Sequence, residues 1–440
     1  MTTDRRGFLQ GMAAAAAAPF VLPSRVGAAP SGPNGKLTVG LIGMGTQARG
    51  LLGGFLGNET RVVAVCDVDT TRRQAAKQRV DTFYQSTDCA AYNDFRELVA
   101  RQDIDLVCIA TPDHWHAIPT LAALRAGKDV YCEKPLTHNI HEAVEVIKAV
   151  DANQRVLQTG SMQRSSKEFR VACELVRNGA IGKLDHVECQ FGDPGRPCDL
   201  REETAEPGLD WDLWLGPAPT RPYSSVLSPR GVHNGFPNWR SYQEYGGGMV
   251  TDWGAHHLDI AQWGLGMDES GPVEVVPPTD EKAKRGCKLV YANGVWVQHT
   301  NGYGVHFFGA DGEVKVNRGK FALIVGGKTI AEFGDAQRKT GETSLNAELR
   351  KAEEACLKEA KVKLYSSPGH INDFLACVKS RKKPITSEIV GGRSAICCHL
   401  MNQAYYHHAT LKWDPAKCEF TGGTGDPKWL TREYRGPWKV

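Results

Sequence analysis

Between residues 36 and 160, short apolar runs alternate with segments whose apolar positions recur at helical spacing. The runs 37–43, 61–67, 106–111, 129–133 and 155–160 are short and mainly β-branched or apolar, as in strands buried on both faces. Between the first two, Ala48, Leu51, Leu52, Phe55 and Leu56 fall at i, i+3, i+4, i+7 and i+8, on one helix face. Strand–helix alternation of this kind predicts a parallel sheet wound on both faces. Beyond this region the pattern changes. From about 287 to 326 strands follow one another without helices, and Asn293-Gly294 and Asp311-Gly312 are hairpin signals between alternating runs. This predicts a mostly antiparallel sheet in a second domain, over 161–440. Residues 193–238, rich in Pro and Gly, read as long irregular loops, and 336–363, charged with helical spacing, as a surface helix. The stretch 411–440 has Pro, Gly and Trp but little periodicity, and is expected to wrap over a domain.

The 440 residues leave room for two domains and a sizeable core. With 41% apolar and 23% charged residues the mixture is ordinary for a globular chain. The net charge of +3 is too small to make nucleic acid or a membrane surface the main partner. No run reaches the roughly 18 apolar residues of a spanning helix, so no membrane anchor is expected. The N-terminus adds a destination. Arg5-Arg6 precede Phe8 and Leu9, an alanine-rich apolar run follows over 12–22, and small residues surround Ala28 and Ala29. This reads as a twin-arginine export signal over 1–30, hence a periplasmic or otherwise exported protein. Such substrates generally cross folded, so a cofactor can be loaded first. Thirteen cysteines without a Cys-x-x-Cys pair argue against zinc, and no metal is expected. Cys66, Cys108 and Cys132 sit in strand runs as small hydrophobes, and Cys397-Cys398 reads as helix packing.

Gly43-Met44-Gly45-Thr-Gln-Ala48 is a G-x-G-x-x-A element between a predicted strand and a predicted helix. The first glycine permits the tight turn, and the second lets backbone approach a pyrophosphate at the helix N-terminus. Asp67 ends the next strand about twenty residues on, where a carboxylate would accept the adenosine ribose hydroxyls. Domain 36–160 is therefore expected to be a Rossmann fold that binds NAD. Arg72 and Arg73 lie close behind and leave NADP open. Thr111-Pro-Asp-His-Trp-His116 and Glu133-Lys134-Pro135 follow predicted strands, at the carboxyl ends where this architecture binds ligands. Gly246-Gly-Gly248 leads to Asp252 and His256, which share a face if helical, so the carboxylate could fix the imidazole tautomer. Read blandly, the same two are a helix-start carboxylate and a core histidine. Trp211, Trp214, Trp239 and Trp253 are candidates to line a sugar site, though tryptophan is more often core. Arg240 beside Trp239 and His257 beside His256 join the substrate candidates, though His257 reads more readily as a structural residue.

The Glu-Lys-Pro element combined with the distant Gly-Gly-x-x-x-Asp-x-x-x-His element resembles the glucose–fructose oxidoreductase/inositol dehydrogenase (Gfo/Idh/MocA) family, from Leu37 to about Tyr406. The resemblance implies an N-terminal Rossmann fold plus a C-terminal α/β domain with a large open sheet. It implies that Lys134, Asp252 and His256 converge beside the nicotinamide as the catalytic set. Gly43, Met44, Gly45, Asp67, Thr111, His116, Glu133, Lys134, Gln163 and Arg164 correspond to cofactor positions. The implied activity is NAD(P)-dependent oxidation of a CH–OH in a sugar, polyol or glycoside, in a homo-oligomer, dimer or tetramer. Trp211-Asp-Leu-Trp214-Leu-Gly-Pro, Trp413-Asp-Pro and the signal resemble an exported bacterial branch, some members of which use tyrosine as the base. Free nicotinamide cofactors should be scarce outside the cytoplasm. Tight retention with internal recycling is therefore expected, through alternating sugar substrates or through redox-neutral cleavage, as in family glycosidases. A non-catalytic dinucleotide-binding protein is the rival from another class.

Overall fold

The computed structural model describes residues 35–57 and 59–440; the export signal over 1–30 lies outside the described residues. Strands β1 (Leu37–Ile42), β2 (Thr60–Cys66), β3 (Ala90–Tyr92), β4 (Leu106–Ile109), β5 (Asp129–Cys132) and β6 (Leu157–Thr159) form one sheet, ordered β3-β2-β1-β4-β5-β6. Every neighbouring pair is parallel. Helices α1 (Thr46–Leu56), α2 (Thr70–Tyr84), α3 (Phe95–Val99), α4 (Ala117–Arg125) and α5 (Ile140–Asn153) cover it. The predicted apolar face of α1 is buried in full. The strand order reverses between β1 and β4, where a crevice opens beyond the carboxyl ends. The apolar runs reveal five of the six strands. The sixth, β3, is half-buried Ala-Ala-Tyr at an edge, too short to make a run.

The second sheet has ten strands. Beside β7 (Leu184–Gln190) they are β8 (Glu274–Val276), β9 (Lys288–Val290), β10 (Trp296–Thr300), β11 (Gly304–Gly309), β12 (Gly312–Asn317), β13 (Lys320–Val325), β14 (Lys328–Phe333), β15 (Leu411–Asp414) and β16 (Glu419–Thr421). Only the central β7–β10 pair is parallel. Both glycine turns fall where the sequence puts them, between β9 and β10 and between β11 and β12. Inward residues such as Val187, Val297, Val305, Phe307 and Leu323 are buried under α6 (Lys167–Arg177) and later helices. Short helices α7 (Trp211–Leu215) and α8 (Met249–Asp252) interrupt the long loops, and α9 (Gly254–Leu265) follows. The charged 336–363 stretch is two helices, α10 (Asp335–Thr340) and α11 (Leu345–Cys356). Gly341 at φ +70° ends the first, and the Ser344 side chain caps the second.

The chain does not leave the first domain for good after residue 161. Helix α12 (His370–Ser380) buries Phe374, Leu375, Cys377 and Val378 in the first domain's core, and Arg381 pairs with Asp129 at 2.6 Å. Thr159 and Thr386 exchange hydrogen bonds of 2.8 and 2.6 Å. Helix α13 (Glu388–His407) buries Cys397 and Cys398, and all thirteen cysteines are free thiols. After β16 the tail crosses to the first domain: Arg432 and Tyr434 hold Glu142 at 2.9 Å each, and Trp438 packs edge-on against Trp115. Among the described residues no helix is long and apolar enough to cross a membrane.

Candidate active site

The glycine loop is built for close approach. Gly43 has φ +83°, and a Cβ there would lie 2.8 Å from the Ala110 carbonyl oxygen. Gly45 caps α1 without a side-chain hydrogen bond, and a Cβ on it would meet nothing within 4 Å. Uncapped N–H groups under open space form an anion cradle. The Met44 side chain is buried in the core, while its N–H donates to Asp67 at 2.6 Å. Asp67 also accepts from Asp69 N at 2.8 Å. Burial raises its pKa against the pull of Arg72 and these two N–H groups.

The two arginines behind Asp67 are committed elsewhere. Arg72 is buried and donates to Ser228 Oγ at 3.2 Å, to Gly231 O at 3.1 Å and to Pro229 O. Arg73 donates to Asn93 Oδ1 at 3.0 Å, to Thr70 Oγ1 at 3.1 Å and to Asp67 O. Both guanidinium groups are engaged by the protein itself, which favours NAD, the cofactor Asp67 points to. The carbonyls that Arg72 holds belong to a strap, 228–238, lying across the glycine loop. Thr46 Oγ1 donates to Gly235 O at 2.7 Å and Arg49 Nη2 to His233 O at 2.5 Å.

A cleft of about 430 Å³ runs from Asp67 and the strap to the second sheet. Gly43, Gly45, Thr111, His116, Glu133, Lys134, Trp214, Trp239, Arg240, Asp252 and His256 all line it. Glu133 accepts from Gln47 at 3.0 Å and from Tyr131 at 3.3 Å, with burial raising its pKa against the charge of Lys134. A Cβ on Gly160 would strike this carboxylate at 2.6 Å. The His116 ring lies between Pro135 O (2.6 Å) and Thr111 O (2.9 Å), tying together the loops after β4 and β5. Burial lowers its pKa to about 4.

Lys134 reaches across the cleft to α8. Its ammonium pairs with the Asp252 carboxylate and donates to Asp252 O at 3.2 Å. Arg240 Nε lies 3.6 Å from the other carboxylate oxygen, and its guanidinium stacks 4.2 Å above Trp239. Burial alone would raise the Asp252 pKa, but the charges of Lys134 and Arg240 outweigh it and hold the group ionised. His256 is 6% exposed, and its buried Nδ1 has no hydrogen-bond partner. Burial, then the charges of Lys134 and Arg318, push its pKa well below the usual range, so it is neutral.

Four expectations change. Among the described residues no hydrogen bond joins Asp252 to His256: the Lys134 ammonium, within reach of the carboxylate, outcompetes a neutral imidazole. Arg164 is turned away from the cleft, held by Asp259 (2.8 Å) and Asp268 (2.7 Å) in a buried ion cluster. Gln163 is buried outside the lining, with only a 3.5 Å contact from Arg318. His257 is fully buried against the Gln190 carbonyl at 2.9 Å and cannot meet a substrate in the cleft.

The cleft also contains residues the sequence reading left unassigned. Asp113 lines it at 4% exposure. Burial pushes its pKa well up, against the pull of Lys134 and Arg240. Its signal was present, inside the Thr-Pro-x-x-x-His element. Arg318 arrives from the β12–β13 turn and stacks 4.6 Å from the Trp253 ring. No local motif announces it.

The residues present fit a dinucleotide. The cradle above Gly45, Asp67 at the ribose position and the buried, unpartnered Thr111 hydroxyl all face the cleft. Among the described residues no group of three or more His, Cys, Asp or Glu could hold a metal ion.

Residues 37–161 match a family model described as oxidoreductase family, NAD-binding Rossmann fold, and 180–316 match the family's C-terminal alpha/beta domain. The chain is 34% identical over 152 residues to an inositol 2-dehydrogenase of Salmonella paratyphi B, covering 33% of this chain and 43% of that protein. It is 30% identical over 162 residues to a glycosyl hydrolase family 109 protein of Shewanella sp. (strain ANA-3), covering 36% and 35%. The match thus spans less than half the length of either curated relative. In fold, the chain is similar to the crystal structure of an aldose-aldose oxidoreductase from Caulobacter crescentus, with TM-score 0.56, 19% identity, and 86% and 99% of the two chains covered.

Proposed function

Because the chain belongs to the Gfo/Idh/MocA oxidoreductase family, whose two domain models match 37–161 and 180–316, we propose that it oxidises the CH–OH of a sugar, polyol or glycoside with NAD held tightly and recycled in place. The observation that carries this reading is the meeting of Lys134, Asp252 and neutral His256 in the cleft that holds the glycine loop. Bound NAD supplies a hydride acceptor and, when reduced, a donor. His256 takes the hydroxyl proton, which its depressed pKa leaves it free to do at neutral pH. Lys134 donates to the same oxygen as negative charge develops, a role worth roughly 10²-fold or more in rate. Asp252 holds the ammonium in place and does not orient the histidine.

Retention is supported by the strap, which lies over the loop where a pyrophosphate would sit and is pinned by Thr46, Arg49 and Arg72. It agrees with export as a folded, loaded protein by the twin-arginine route. A pairing of open sheet faces, where half-buried Trp296, His186 and Phe308 stack at 4.2 and 4.3 Å, would give the dimer or tetramer. The testing variant is K134A, assayed with dinucleotide bound. Turnover should fall by about 10²-fold or more with dinucleotide content unchanged. Retained turnover sinks the assignment.

A second reading is redox-neutral cleavage of a glycoside. It is favoured by Asp113, a buried carboxyl in the cleft held toward its protonated form, which could deliver a proton to a departing oxygen. Products separate the two: oxidised sugar with a reduced acceptor, or free aglycone with no net redox change. Protein that neither carries nor takes up dinucleotide would instead revive the non-catalytic binding reading.

A further inference from the structure

The cations at the reacting end of the cleft are not all ion-paired. Lys134 and Arg240 share the Asp252 carboxylate. Arg318 has no carboxylate within ion-pair distance among the described residues; its one side-chain hydrogen bond, to Gln163, is 3.5 Å long. Burial lowers its pKa, and the charges of Asp252 and Glu133 only partly offset this. A partly desolvated guanidinium without a counter-ion costs free energy that a ligand anion would recover.

The turn that presents it is fixed. Asn317 Oδ1 accepts from Arg318 N at 2.7 Å, and Asn317 Nδ2 donates to Tyr303 O at 2.9 Å. Gly319 N donates to Glu168 at 3.1 Å, and Arg338 donates to Gly319 O at 3.0 Å. The guanidinium carbon lies 4.6 Å from the Trp253 ring centroid, and Arg318 lines the cleft. This is the substrate end and not the phosphate end, because the Trp253 ring that Arg318 stacks on lies next to Asp252 and 5.9 Å from the His256 ring. The cradle at Gly45 lies beneath the strap.

We infer that the substrate is an acidic sugar, and that Arg318 binds its carboxylate. This rests on the oxidoreductase reading and names its substrate class. The planar guanidinium fork matches the two oxygens of a carboxylate.

The test uses dinucleotide-loaded protein and two pairs of probes, D-glucuronate with D-glucose and D-galacturonate with D-galactose. Calorimetry reads binding, and absorbance reads reduction of the bound dinucleotide. The wild type should bind at least one acid about 10- to 100-fold more tightly than its neutral partner. R318Q should erase that preference, leaving neutral-sugar binding and dinucleotide content unchanged, and R318K should restore only part of it. Equal binding of acid and neutral sugar, no measurable binding of either acid, or a preference that survives R318Q overturns the inference. So does loss of dinucleotide in R318Q, which would make Arg318 a cofactor contact. Failure of the oxidoreductase reading looks different: the acids bind in an Arg318-dependent way, but no hydride moves.

Discussion

The strap gives the sharpest test of cofactor retention, through Arg49. This residue is outside the cleft lining, and its side chain holds the strap. Its side chain donates to His233 O at 2.5 Å and to Asn234 Oδ1 at 3.2 Å. A hydrogen bond from a charged donor contributes about 1.5–3 kcal/mol, and partial exposure here trims that to about 1–1.5 kcal/mol. Thr46 and Arg72 remain as anchors in R49A, so the strap loosens without detaching. If strap opening limits release, the dinucleotide should leave roughly tenfold faster. Adding T46V should compound the effect. The assay follows the fluorescence of bound NADH after dilution into excess NAD, alongside a urea melt. A release rate equal to wild type in R49A refutes the strap as the latch. Faster release accompanied by a fall in the urea midpoint would point to a general loss of stability.

Other outcomes follow from the same geometry. G43A places a Cβ 2.8 Å from the Ala110 carbonyl at a φ of +83°, so purified protein should carry little or no dinucleotide, read by absorbance after heat release. His256 stays neutral because its pKa lies well below the usual value, so its base form is lost only as pH falls through that lowered value. The acid limb of kcat/KM should therefore lie well under pH 6.5, and a limb centred near 6.5 would contradict the buried-base assignment. Stability should behave differently. His114 and His299 are held near about 3, and His116, His257 and His399 near about 4. Below their unfolded pKa of about 6.5 the unfolded chain takes up protons first, each costing roughly 1.4 kcal/mol per pH unit down to the folded value. The urea midpoint should be flat above pH 7 and fall steeply toward pH 5; a flat midpoint across that range refutes neutral burial of these rings. D113N should stop aglycone release while leaving sugar-dependent reduction of the bound dinucleotide, measured by product analysis and absorbance.

What the sequence reveals depends on distance along the chain. Buried parallel strands and the glycine turn are local patterns, so β1, β2, β4, β5 and β6 and the Gly43 loop can be read directly. Lys134 is legible because a strand end and a following proline fix where it lies. The partner of Asp252 is not. Four-residue spacing suggests His256, but Lys134, 118 residues away, is the group the carboxylate meets. Arg164 shows the same limit: its counter-ions, 95 and 104 residues on, turn it out of the cleft. Arg318 sits on the β12–β13 hairpin, which no sequence signal marks, and the fold of the second sheet brings it to the cleft.

A cleft closed by a strap constrains the chemistry more than an open one does. If the dinucleotide stays through turnover, whatever His256 accepts in the first half it must return in the second. Its depressed pKa suits this, because an imidazolium formed there is poised to give its proton back. On this reading the Lys134–Asp252 pair would serve both directions, since an ammonium can donate to a hydroxyl or a carbonyl oxygen alike. These three residues therefore cannot distinguish sugar–sugar exchange from redox-neutral cleavage. Asp113 can. Exchange needs no second acid, whereas elimination needs a proton at the leaving oxygen, and Asp113, a buried cleft carboxyl with its pKa pushed well up, is suited to supply it. The choice between the two reactions thus turns on Asp113, not on the three residues that mark the family.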